Sequence, residues 1–274
     1  GSIFTDNTLV SGGAHNCAIV DGGNVSCWGN NNDGRLGNGA TSAIQNTPTP
    51  TSTLGLGKYA VEIASGWSHT CVILNDGTVS CWGKGSNHRL GNGNLSNQLT
   101  PTPTSSLGVD RTAIEISTGQ LHTCVILDNG SVSCWGSNDN GELGIENTDD
   151  IGDQGSEMGS NLGFISFPNG NTAVNITAGD GFTCAILNNS DTVCWGDNQF
   201  GQLGIENTND IGDQGGEMGN SLGVVDLGTS RYAVEIDAGT TSVCAILDNA
   251  QVKCWGQNDV GQLGLGNTLD RGDG

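Results

Sequence analysis

The chain has 274 residues, 46 of them Gly, with 8 Lys and Arg against 29 Asp and Glu, for a formal charge of −21. That charge repels phosphate backbones, which argues against nucleic-acid binding by charge attraction. No apolar run reaches the length of a membrane span.

Helix formers such as Lys and Arg are scarce, while Gly, Asn, Asp, Ser and Thr dominate. These residues favour turns between short strands, so the chain reads as all-β. Cations, basic proteins and neutral glycans are the partners that suit its charge.

In chain order, the first distinctive segment is CAIVDGGNVSCWG at Cys17, and it is the first of five copies. It returns as CVILNDGTVSCWG at Cys71, CVILDNGSVSCWG at Cys124, CAILNNSDTVCWG at Cys184 and CAILDNAQVKCWG at Cys244. A Gly stands five residues before the first Cys of each copy (Gly12, Gly66, Gly119, Gly179, Gly239). A Leu-Gly follows each, beginning at Leu36, Leu90, Leu143, Leu203 and Leu263. Upstream, four copies carry Val-x-Ile or Ile-x-Ile, as in Val61-Glu62-Ile63, and the first has Leu9-Val10.

The repeat divides a single domain, 1–274, into units 1–53, 54–107, 108–167, 168–227 and 228–274. The last unit is expected to be completed by the N-terminal SIFTD segment or by a neighbouring molecule. Each unit reads as four short strands: the Val-x-Ile run, the two Cys segments, and an extended stretch such as TPTPTSTLG from Thr47. Tandem four-stranded units of this size predict the blades of a β-propeller.

Each Cys pair is spaced C-x9-C around a three-residue turn, such as Asp21-Gly22-Gly23 or Asn75-Asp76-Gly77. That register sets Cys17 opposite Cys27, Cys71 opposite Cys81, Cys124 opposite Cys134, Cys184 opposite Cys194 and Cys244 opposite Cys254. Opposed non-hydrogen-bonded positions are close enough to bridge, so five disulfides and an oxidising compartment are expected. Zinc and redox chemistry fit poorly, because those sites use closer Cys spacings. In the fourth copy Val193 stands where the others have Ser or Lys, which points to a slipped register. Ser190 and Ala250 occupy the turn position that suits Gly, implying strain or another turn there.

The pattern G-x-x-H-T-C-x5-G-x-V-x-C-W-G, continued by G-x-L-G, resembles the repeat of the regulator of chromosome condensation family. It is closest at Gly66 to Gly91 and Gly119 to Gly144, and it covers all five units. The resemblance implies a propeller of four-stranded blades, and the paired cysteines resemble the secreted prokaryotic branch. The family's best-known members have seven blades, against five repeats here. Its nuclear members exchange nucleotide on a small GTPase through an inserted hairpin, and no unit here carries such an insertion.

Few residues stand out from the repeat. His15, His69 and His122 share one position and read as structural, as do the Trp residues after each second Cys. Trp67 breaks the repeat, where Gly13, Gln120, Asp180 and Thr240 are its counterparts, and is a candidate contact for protein or carbohydrate.

The loops IENTDDIGDQGSEMG and IENTNDIGDQGGEMG, with LGNTLDRGDG at the end, gather Asp150, Asp153, Glu157, Asp210, Asp213, Glu217, Asp270 and Asp273. Clustered carboxylates beside Gly turns suit Ca²⁺, or serve to cap backbone amides. Asn24, Asn94, Asn129, Asn175 and Asn188 each open a glycosylation sequon. No nucleophile elbow, HExxH or phosphate loop occurs, so no enzyme is expected. The reading is a secreted or cell-surface display module that binds protein or glycan. The alternative is an extracellular filament subunit, built by strand sharing between copies of itself.

Overall fold

The computed structural model describes residues 8–41, 44–152 and 157–274. The N-terminal segment expected to complete the last unit, and Asp153, lie outside them.

Five antiparallel sheets follow one another along the chain. The first holds β1 (Leu9–Ser11), β2 (His15–Val20), β3 (Asn24–Gly29) and β4 (Gln45–Pro50). The second holds β5 (Ala60–Ser65), β6 (His69–Leu74), β7 (Val79–Gly83) and β8 (Gln98–Pro103). Three strands each make the third, β9 (Ala113–Thr118), β10 (His122–Leu127) and β11 (Val132–Gly136), and the fourth, β12 (Ala173–Ala178), β13 (Phe182–Leu187) and β14 (Thr192–Gly196). The fifth is β15 (Ala233–Ala238), β16 (Ser242–Leu247) and β17 (Val252–Gly256). The chain falls into two compact units: 1–128 with 135–137 and 150–162, and 129–134 with 138–149 and 163–274.

Among the described residues, the expected fourth strand forms in the first two sheets, from the TPTP segments. In the later copies the same stretch is an acidic Gly-rich loop that touches its sheet through isolated bridges, Gly136–Ile151, Gly196–Ile211 with Val193–Val224, and Gly256–Arg271. Gly212 and Gly216 there have φ of 97° and 91°, outside the β region, so a ladder cannot continue through them.

The Cys register is the expected one. Cys17–Cys27, Cys71–Cys81, Cys184–Cys194 and Cys244–Cys254 are paired and bridged, with Cα atoms 4.0–4.1 Å apart. Cys124 and Cys134 are disulfide-bonded as well.

The fourth hairpin does not slip, since Cys184 faces Cys194 and Ile186 faces Thr192. Its turn keeps the hydrogen bonds of the second copy, and the fifth does the same (Leu187 N to Asp191 O, Leu247 N to Gln251 O and Leu74 N to Thr78 O, all 2.8 Å). The turn is retained at the expense of positive φ at Ser190 (73°) and Ala250 (61°). Ala250→Gly is therefore expected to stabilise the protein by about 0.5–1 kcal/mol, read as a higher melting temperature.

The central strands β6, β10 and β13 are buried along their whole length. Alternate side chains point to opposite faces, and both faces are covered. One face, Cys17, Ile19, Val25, Cys27 and Leu36 of the first sheet, packs on Ala60, Ile63, Val72, Leu74 and Trp82 of the second. The equivalent face of the second sheet, Cys71, Ile73, Val79, Cys81 and Leu90, packs on Ala113, Ile116, Val125, Leu127 and Trp135. The second compact unit repeats the pattern, Cys184, Ile186, Cys194 and Leu203 packing against Ala233, Ile236, Ala245, Leu247 and Trp255.

A polar latch accompanies each of these junctions and recurs on the fourth sheet's Trp195. The indole N–H donates to the carbonyl of the residue before the preceding copy's Leu-Gly. The pairs are Trp82 to Arg35 (3.0 Å), Trp135 to Arg89 (3.1 Å), Trp195 to Glu142 (3.0 Å) and Trp255 to Gln202 (3.0 Å).

Candidate functional site

The loops that vary between copies are held from below by one buried Asn, three residues after the Trp. Asn198 accepts from Leu203 N–H (3.0 Å) and donates to the carbonyls of Asn207 (2.8 Å) and Asn209 (3.0 Å). Asn258 repeats the arrangement with Leu263, Asn267 and Leu269. Each carboxamide thus has its acceptor and both donors in use. The W-G-x-N spacing carried this signal, but as a repeat element it did not stand out as a loop organiser.

On that base the carboxylates of the fourth copy's loop are placed individually. Asp210 accepts from Asn198 N–H (2.8 Å), and Glu217 accepts from Gly212 N–H (2.9 Å) and Gln214 N–H (3.0 Å). Asp270 does for Asn258 (2.6 Å) what Asp210 does for Asn198, and Glu157 accepts from Gly152 N–H (2.9 Å). Glu146 of the preceding loop accepts from Gly216 N–H (2.9 Å) and Met218 N–H (3.1 Å). Most of these acids therefore shape the loop by capping its amides.

Asp213 differs, because its Oδ1 is buried and has no hydrogen-bond partner. It lines a cleft of about 480 Å³ with Thr208, Asn209, Asp210, Ile211, Gln214 and Glu217. Burial pushes the Asp210 carboxyl above the usual range, with Asp197, Asp213 and Glu217 adding repulsion against the opposing Asn198 hydrogen bond. Asp180 is raised too, by burial and then by Asp197. Asp180 and Asp197 were missed as site residues, because they lie in a different loop from the acidic repeat. Among the described residues, no three His, Cys, Asp or Glu side chains are grouped to hold a metal ion. Asp150 is half-buried and Asp273 exposed.

Trp67 is 53% exposed, with its ring over Gly13 and its carbonyl accepting from Arg35 Nη1 (3.4 Å). Of the sequon residues, Asn24, Asn94, Asn129 and Asn188 are exposed. Asn175 is half-buried and accepts from Ile236 N–H (3.4 Å), which commits its carboxamide to the neighbouring sheet.

The three histidines are buried and structural. The Thr70 hydroxyl donates to Arg35 O (3.3 Å), so it accepts from His15 Nε2–H at 2.7 Å. Thr123 donates to Arg89 O (2.9 Å) and accepts from His69 Nε2–H at 3.0 Å. Nδ1 of His15, His69 and His122 is left bare. A side chain on Gly12 or Gly66 would strike the His15 or His69 ring at 2.4 Å, and one on Gly179 the Phe182 ring at 2.1 Å, which explains the Gly five residues before those Cys pairs.

The receptor UVR8 of Arabidopsis thaliana is 27% identical over 264 residues, covering 96% of this chain and 56% of its own length. The human ubiquitin ligase HERC2 is 27% identical over 259 residues, 94% of this chain but 5% of HERC2. The chain thus spans about half of the first relative and a small part of the second. Among solved structures, yeast RCC1 (Prp20) bound to Kap60 superposes with a TM-score of 0.73 at 22% identity, over 92% of this chain and 56% of that one. The description "RCC1-like domain" matches residues 4–273. With the repeated Cys–Trp blades and that match along nearly its whole length, the chain belongs to the RCC1-like domain family and has an all-β, propeller-type fold.

Proposed function

We propose that this chain is an extracellular, non-catalytic protein-binding module, whose acidic cleft takes Lys or Arg side chains of a basic partner. The observation that carries this reading is the cleft at Asp210, Asp213 and Glu217, with its buried, unpartnered Asp213 Oδ1. A carboxylate oxygen buried without a donor is costly, and an incoming ammonium or guanidinium supplies both the charge and the hydrogen bond. The formal charge of −21 adds long-range attraction. An extracellular setting is supported by ten disulfide-bonded cysteines, since such bridges persist in oxidising compartments. Yeast RCC1, whose fold this chain shares, has been solved bound to another protein, Kap60.

Binding of a Lys/Arg-rich probe peptide, measured by interferometry, tests the proposal. Affinity is expected to fall roughly tenfold or more between 50 and 500 mM salt and to weaken similarly in Asp213→Asn. A neutral peptide of equal length is expected not to bind. Unchanged affinity in Asp213→Asn, or no binding by the wild type, rejects the cleft as the site. The same carboxylates make Ca²⁺ the competing ligand. An equal melting temperature in chelator and in millimolar Ca²⁺ removes it.

A further inference from the structure

Two repeat positions meet at the start of each Cys hairpin. The one after the conserved Gly carries Gly13, Trp67, Gln120, Asp180 and Thr240 in successive copies, and the one after Trp-Gly carries Asn30, Lys84, Ser137, Asp197 and Gln257. In the second copy Lys84 N–H donates to Ser68 O (2.9 Å), one residue beyond Trp67. In the fifth copy the Thr241 and Gln257 side chains hydrogen-bond at the same spot. The second copy thus sets an indole beside an ammonium, where the fourth sets Asp180 beside Asp197.

Trp67 is held as a platform. A side chain on Gly13 would meet its Cδ2 at 2.8 Å and its Cε3 at 3.1 Å, so the ring lies on the Gly13 backbone. Its carbonyl accepts from Arg35 Nη1 (3.4 Å), and Arg35 is itself anchored by Asp33 (3.1 Å) and Asn32 O (2.9 Å). The Trp67 side of this arrangement stays open, with the residue 53% exposed. Arg89 lies near enough for the Asp33 charge to act on it. Arg35, Lys84 and Arg89 therefore stand against the Asp33 carboxylate, which is already engaged by Arg35 and by Asn97 Nδ2 (3.1 Å). Among the described residues, the half-buried Lys84 has no ion-pair partner for its ammonium. In a chain of net charge −21 this is a local excess of positive charge.

We propose that Trp67 and Lys84 form a binding site for an acidic glycan, the indole stacking on the C–H face of a pyranose and the ammonium pairing with that ring's carboxylate. One exposed aromatic flanked by Asn30, Asn32, Ser68 and Lys84 suits a ligand with an apolar face and polar edges. An apolar peptide anchor needs an enclosing apolar pocket, and a cationic ligand is repelled by Lys84. At physiological salt, charges more than about 8 Å away are largely screened, so distant carboxylates do not cancel the local cations. An open platform covers one face of one ring. The ligand is therefore a sugar chain, which adds contacts through neighbouring rings, rather than a free sugar acid. The site shares no residue with the cleft at Asp213.

Calorimetric titration of the oxidised chain tests this, with short oligomers of galacturonate, glucuronate and mannuronate as the probes. At least one is expected to bind. Its methyl ester, which keeps the ring and removes the charge, is expected to bind roughly tenfold more weakly, and so is the free monomer. Trp67→Ala is expected to weaken the oligomer roughly tenfold or more. Lys84→Met keeps the stem and loses the charge, so it is expected to weaken the acid roughly tenfold while leaving the ester unchanged. Circular dichroism checks that each variant is folded. The proposal is overturned if none of the three oligomers binds, or if folded Trp67→Ala or Lys84→Met binds the acid as tightly as the wild type. An ester or a monomer as tight as the acidic oligomer overturns it as well.

Discussion

Reduction with an excess of phosphine at neutral pH is expected to unfold the protein, or to lower its melting temperature by tens of degrees. Each bridge joins cysteines ten residues apart on facing strands. Closing a loop of that size removes enough unfolded-chain entropy to stabilise by roughly 2–3 kcal/mol. With ten bonded cysteines the combined effect is on the order of 10 kcal/mol, comparable to the whole stability of a typical domain.

The cysteines also sit in the packed faces: Cys17, Cys27, Cys71, Cys81, Cys184 and Cys194 are members of the apolar clusters between sheets. Reduced thiols there need more room than a bridge. The measurement is a thermal melt followed by circular dichroism, with thiol titration to confirm reduction. A fully reduced protein that melts within a few degrees of the oxidised one removes the bridges from the stability account.

Acidification is expected to destabilise the protein steeply below about pH 6.5. Burial, with the Arg35 charge nearby, lowers His15 to about 3. Burial and Arg89 lower His122 to about 4. His69 lies well below its usual value through burial, Arg89 and the other two rings. In the unfolded chain these rings take up protons near 6.5. Between that pH and the folded values the unfolded state binds more protons, so stability falls as pH falls. The slope is about 1.4 kcal/mol per pH unit per histidine, on the order of 5 kcal/mol for His15 and His122 together by pH 4.5, and His69 acts in the same direction.

Glu62 acts in the opposite sense. Burial, helped by the Glu115 charge and opposed by its bond from Ile116 N–H, raises it to about 8. Its folded form holds a proton that the unfolded form has released, so its contribution is lost as pH rises from about 4.5 through 8. The two trends together place the stability maximum near pH 6.5. Phe182 occupies the histidine position in the fourth copy, fully buried. The triple variant His15→Phe, His69→Phe, His122→Phe is therefore expected to fold and to flatten the acid limb. Denaturant midpoints from pH 4 to 9 provide the measurement. An acid limb equally steep in the variant rules the histidines out as its source.

Strands, turns and bridges were legible because they are local and repeated. Alternation marks β2 or β6, and the Cys spacing follows from a three-residue turn. Copies of one pattern at Cys17, Cys71, Cys124, Cys184 and Cys244 exclude coincidence. Local pattern failed where backbone conformation and chain entropy compete with it. The fourth hairpin keeps its register although Ser190 must adopt positive φ, since slipping would misplace Cys194 and turn the Thr192 and Val193 side chains to the wrong faces. The fourth strand was expected from each unit's own loop in the third and fourth copies, yet among the described residues a Gly-rich acidic loop stands in its place there.

The candidate site was legible in part. IENTNDIGDQGGEMG showed which carboxylates gather, but one-dimensional order cannot say which of them caps an amide and which is left bare. Asp213 and Glu217 are four residues apart in the same loop. Glu217 is held by two backbone N–H groups, while Asp213 Oδ1 is buried without a partner.

By itself the sequence determined the repeat, the sheet-forming periodicity, the Cys register and the acidic charge, because each depends on neighbours a few residues away. Only the tertiary structure decided which repeat positions find a partner. Ile63 and Leu9, like Val193 and Val252, look alike in a pattern of hydrophobic residues. What separates a buried Ile63 from an exposed Leu9 is whether another sheet's apolar face lies against it, and that depends on residues some fifty positions away in the chain.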